Sequence, residues 1–85
     1  MRHFMFSIYD DAAKVFLRPF TARNDGEALR VFSDMSVAAD HVCGQHPEHF
    51  ALFRVGQFDD NLGLPEPERV PVRLKTGLEC VAESQ

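Results

Sequence analysis

One segment of helical periodicity stands between two segments of strict alternation, and that arrangement leaves few folds open. Ala28, Val31, Phe32, Met35, Ala38, Ala39 and Val42 recur at three- and four-residue spacing, the apolar stripe of an amphipathic helix. Asn24 offers an N-cap, Glu27 three residues later can close a capping box, and the stripe ends near Gly44. Ser36, within the stripe, can also restart a broken helix, and His46-Pro47 marks a non-helical boundary.

The flanking segments read as strands. In residues 3–9, Phe4, Phe6 and Ile8 alternate with His3, Met5, Ser7 and Tyr9. Asp10 to Ala13 makes a turn, and a second strand runs from Lys14 to Phe20, closing an N-terminal hairpin whose Pro19 places it at a sheet edge. Phe50 to Phe58 is the clearest strand, followed by a turn at Asp59–Gly63. Residues 64–69 form a Pro-rich connection that is neither helix nor central strand. Val70, Val72 and Leu74 mark a short last strand. The tail, 78–85, returns to the sheet through Leu78, Cys80 and Val81 or frays.

The order β-β-α-β-β predicts an α+β domain spanning 1–85: a small antiparallel sheet of about four strands with one helix packed on one face. With 45% hydrophobic and 26% charged residues the composition is that of a globular protein. A chain of 85 residues has a thin stability margin, and two cysteines cannot make a disulfide framework, so a homodimer or larger homo-oligomer is expected to enlarge the core. No apolar run reaches the length of a membrane span, and no signal peptide is apparent, which points to the cytoplasm.

The net charge of −4 disfavours indiscriminate binding to nucleic acid or anionic membranes. Its distribution is uneven: residues 1–33 balance at +1 and residues 34–85 at −5. From Lys14 to Arg23 there are three positive charges and no acid. In an extended strand, Lys14, Phe16, Arg18 and Phe20 share one face, while Val15 and Leu17 turn to the core. Cations alternating with rings suit single-stranded nucleic acid, which needs phosphates neutralised and bases stacked. The competing reading makes Phe16 and Phe20 core or subunit-contact residues. Lys14, Arg18, Arg23 and Arg30 are the candidate phosphate contacts, with Arg54, Arg73 and Lys75 extending the strip if their strands are neighbours. Phe16 and Phe20 are the candidate stacking residues, assisted by Tyr9.

Other constellations carry less. His41, Cys43, His46 and His49 are zinc-type ligands, but their spacing matches no standard zinc pattern; no metal or cofactor is expected, and a zinc-stabilised domain is a minor reading. Asp10-Asp11 and Asp59-Asp60 belong to turns. No nucleophile elbow, Gly-rich phosphate loop or Cys-x-x-Cys is present, so an enzyme is not expected.

Three stretches together carry a resemblance: Met5-Phe6-Ser7-Ile8-Tyr9-Asp10; Glu27-Ala28-Leu29-Arg30-Val31-Phe32-Ser33-Asp34; and His46-Pro47-Glu48-His49-Phe50-Ala51-Leu52-Phe53-Arg54-Val55-Gly56-Gln57-Phe58-Asp59-Asp60. In this order and spacing, with Arg18-Pro19-Phe20 between the first two, the chain resembles the small nonstructural protein of gokushovirus-like microviruses, phages with single-stranded DNA genomes. The resemblance covers roughly residues 4–63 and assigns no functional residue. It implies a nonstructural DNA-binding protein acting in genome replication, or in the switch to single-strand synthesis and packaging, in the host bacterial cytoplasm. The rival expectation is a protein-interaction module, an assembly factor or host-replication adaptor, using an apolar sheet face or the acidic half around Asp59, Asp60, Glu66 and Glu68.

Overall fold

The computed structural model describes residues 1–84. Alternation in the first segment produces β1 (Arg2–Asp10), followed by two short strands, β2 (Val15–Phe16) and β3 (Phe20–Ala22). Helix α1 (Asp25–Val37) comes next, then a one-turn helix α2 (Val42–Gln45) and a 3₁₀ turn (Pro47–His49). Two long strands, β4 (Phe50–Asp59) and β5 (Leu64–Thr76), lead into α3 (Gly77–Glu83).

All five strands form one antiparallel sheet in the order β2-β1-β4-β5, with β3 also pairing β1. Phe6, Ile8, Phe50 and Leu52 send their side chains into a core closed by Ala28 and Phe32 of α1, Cys43 of α2 and Cys80 of α3. The fold class is thus α+β, an antiparallel sheet with helices packed against it, as the periodicities predict.

Within that class the structure differs from expectation in four places. The second strand is split. Tyr9 pairs Phe16 and Phe6 pairs Phe20, so three steps along β1 face four steps along its partner. The surplus residue is absorbed in Leu17-Arg18-Pro19, where Pro19 offers no N–H to a ladder. That link is tied down instead by Leu17 N–H to the Ile8 carbonyl at 2.8 Å and by the Ser7 hydroxyl to the Leu17 carbonyl at 2.6 Å.

The helix stops at Val37, seven residues short of Gly44, with the Ala38 amide donating to the Met35 carbonyl. The chain then folds back, and Gly44 lies so close to the Ala38 backbone that a Cβ would collide with it. This return carries Cys43 into the core, where it is fully buried. Both cysteines are free thiols.

Residues 64–69 belong to β5 rather than to a connection. β5 pairs β4 alone, so prolines fit where their nitrogens face away from the ladder: Pro65 opposite Phe58 and Pro67 opposite Gly56. The same prolines blunt this edge against strand addition.

The tail is helical from Gly77 to Glu83, and Gln85 lies outside the described residues. Thr76 caps it, its hydroxyl accepting from the Glu79 amide while Glu79 accepts from the Thr76 amide. Gly77 touches the Pro47 carbonyl at a separation with no room for a Cβ, and Cys80 is buried.

Candidate nucleic-acid interface

Side chains alternate across a strand, so the face opposite the core receives Tyr9 from β1 and Phe53 from β4. Phe16 of β2, directly across from Tyr9, joins them. The three rings touch: Tyr9–Phe16 at 4.8 Å between centroids, Phe16–Phe53 at 5.3 Å and edge-on, Tyr9–Phe53 at 6.2 Å. Such tilted and edge-to-face pairs are favourable geometries, which keep the rings together on a partly open surface. Phe16 remains 41% exposed.

Arg73 of β5 is the register partner of Phe53 and extends the ring cluster. Beside it lies a hollow of about 270 Å³ lined by Tyr9, Phe53, Ala51, Arg73, Glu48 and His49, among others. Arg73 has no acidic partner among the described residues. Asp11, also on the rim, is held at 2.7 Å by Lys14, whose pKa is raised by that hydrogen bond and charge.

The residues singled out from sequence do not form one strip. The split strand moves Phe20 to the other face, where its ring lies 5.8 Å from that of Phe6 and packs against the core. Val15 and Leu17, expected inside, are 49% and 36% exposed. The expected common face of Lys14, Phe16, Arg18 and Phe20 is therefore broken, because the surplus residue reverses the side on which later residues fall. Lys14 itself sits in the turn with φ 59°, outside the strand conformation. Arg18 borders a second groove, of about 630 Å³, formed by Ile8, Leu17, Phe20, Val31 and Met35.

Among the other cations, Arg23 pairs with Glu27 at 3.1 Å, and Lys75 with Glu83 at 2.6 Å. Arg54 bridges Asp25 of α1 at 2.7 Å and Glu68 of β5 at 3.0 Å, bracing the sheet against the helix N-terminus. β4 and β5 are neighbours, but Arg54 and Arg73 occupy opposite faces: Phe53 pairs Arg73 and Arg54 pairs Val72. Arg30 is exposed on α1, and like Arg18 and Arg73 it has no acidic partner among the described residues. Of the nine residues named, only Phe16 and Arg73 come to this patch, each beside Phe53, with Tyr9 of β1 against Phe16. Phe53 was missed. Its signal was available: a large ring among residues alternating with the core positions Phe50 and Leu52.

The histidine-rich segment is also rearranged. His41 accepts from the Cys43 amide at 3.1 Å as a helix cap, and burial, with a smaller contribution from Asp10, pushes the Cys43 thiol pKa up. Neither faces His46 and His49, which instead converge on Glu48. No helix is long and apolar enough to cross a membrane among the described residues.

Comparison with known proteins is consistent with a phage origin. No curated protein and no solved structure matches the chain. A family model described as Phage ORF5 protein matches residues 3–80, from the first core strand to the buried thiol of the last helix, and the chain belongs to that family.

Proposed function

We propose that this phage protein is a non-enzymatic accessory factor that binds single-stranded DNA on the open face of its sheet, in the host bacterial cytoplasm. The observation that carries the reading is the contiguous Tyr9–Phe16–Phe53 ring cluster with the Arg73 guanidinium, unpaired among the described residues, beside Phe53. Rings presented by neighbouring strands offer successive stacking surfaces to unpaired bases, and a free guanidinium can neutralise the phosphate between them. The resemblance of the sequence to the nonstructural protein of gokushovirus-like microviruses supports the same reading and suggests a role in genome replication or the switch to single-strand synthesis and packaging. With a net charge of −4, one copy supplies few phosphate contacts. A homodimer or larger assembly would repeat the platform and raise affinity by avidity.

The test is fluorescence anisotropy with labelled single- and double-stranded oligonucleotides at low and physiological salt, with light scattering on the same sample. Salt-sensitive binding that prefers single strands is expected. Absence of binding at low salt, where attraction is strongest, would overturn the reading.

A protein-interaction module is the second reading, and the groove lined by Ile8, Leu17, Phe20, Val31 and Met35 favours it. Val31 is 44% exposed there, beside the cation Arg18. An apolar contact in this groove would persist at salt concentrations that release DNA.

A further inference from the structure

His46, Glu48 and His49 place three ligating atoms within 4.8 Å of one another. The local chain explains the convergence. Pro47 starts a 3₁₀ turn, and a 3₁₀ helix has three residues per turn, so His46 and His49 fall one above the other. Their rings stack with centroids 5.5 Å apart and planes 18° from parallel. Glu48 lies between, with one carboxylate oxygen 3.8 Å from His46 Nδ1 and 3.7 Å from His49 Nε2.

The backbone beneath this group is tied on several sides. The His49 amide donates to the His46 carbonyl at 3.0 Å, and the Asp11 amide donates to the His49 carbonyl at 2.8 Å. The Phe50 amide donates to the Pro47 carbonyl, and Gly77 packs against that same carbonyl.

We propose that His46, Glu48 and His49 form a zinc-binding site. Two borderline imidazole nitrogens beside one carboxylate oxygen suit zinc better than magnesium or calcium, which take all-oxygen ligand sets. Ligand atoms sharing a tetrahedral zinc at 2.0–2.1 Å lie about 3.4 Å apart, so the two histidine–carboxylate separations are within about half an ångström of that spacing. Three protein ligands leave a fourth position for water or an outside group. Glu48 and His49 also line the hollow beside Tyr9 and Phe53, which puts the ion on the rim of the ring platform. This site excludes Cys43, buried in the core, and His41, engaged as a cap.

The experiment is isothermal titration of the purified full chain with zinc chloride and, separately, magnesium chloride, repeated on His46→Gln, Glu48→Gln, His49→Gln and Cys43→Ala. Circular dichroism checks that each variant is folded. One zinc per chain is expected, with no magnesium binding. Each histidine substitution should weaken zinc by more than about tenfold, and Cys43→Ala should leave it unchanged. Proton–nitrogen spectra of the unmodified chain give a second readout, in which zinc should move the His46 and His49 ring signals and spare those of His41. Zinc binding that is absent, that survives both histidine substitutions, or that depends on Cys43 would overturn the proposal. None of these readouts involves DNA.

Discussion

The ring of Phe16 meets that of Phe53 edge-on, 5.3 Å between centroids and 78° between planes, across strands separated by the whole helical segment. Neither ring touches the buried core. Their contact builds an aromatic surface on the side of the sheet away from α1.

Removing either ring should weaken DNA binding more than it weakens the fold. If each stacks on one base, Phe53→Ala is expected to lower single-strand affinity by about 5- to 150-fold, corresponding to roughly 1–3 kcal/mol. Phe20→Ala should do the reverse, costing about 2–3 kcal/mol of stability through its lost packing on Phe6, with little effect on affinity once folded. Anisotropy and urea denaturation on both variants distinguish the two roles.

Arg73 and Arg54 should separate in the same way. Arg73→Glu is expected to weaken binding and to flatten its salt dependence by roughly one phosphate contact. Arg54→Met leaves Asp25 and Glu68 without their shared partner and should lower stability by about 1–2 kcal/mol. Its salt slope for DNA should match that of the unmodified chain. Equal effects of the two substitutions on that slope would remove the distinction between a bracing and a binding arginine.

Gly77→Ala should destabilise the protein by about 2 kcal/mol or more, because the new methyl group meets the Pro47 carbonyl where two backbones are in contact. Gly63→Ala, in open space but at φ 68°, should cost less, about 1 kcal/mol, from conformation alone. The difference in urea midpoints is the measurement.

Acid should loosen α3 through Glu79. The Thr76 amide, and then the Thr76 hydroxyl, hold the Glu79 pKa below its ordinary value of 4.5. A carboxylate depressed in the folded state contributes stability above its unfolded pKa and loses it as pH falls through the folded value. The Glu79→Gln variant should therefore show a shallower loss of stability than the unmodified chain as pH falls below about 4.5. Parallel acid limbs in urea melts of the two proteins would show that this cap is not titrating with folding.

Much of the fold was legible because its signals are local. Alternation around Phe4, Phe6 and Ile8, the stripe through Ala28 and Phe32, and the Asn24 cap, which accepts from the Glu27 amide at 2.8 Å, all depend on near neighbours in the chain. Even α3 had a readable start in Thr76-x-x-Glu79, although its short apolar pattern favoured reading the tail as a strand or a frayed end. The faces of Phe16 and Phe20 were not legible. They depend on one surplus residue between two pairings with β1, and pairing is decided by which strand lies alongside. The same is true of the charges. Sequence counts Arg54, Lys75 and Arg73 alike, but tertiary contacts engage the first two with acids brought from α1, β5 and α3, while Arg73 is left beside Phe53. Periodicity determines which residues can face a core. Register and ion pairing join distant segments, and so only the assembled sheet and helices decide which rings and charges share a surface.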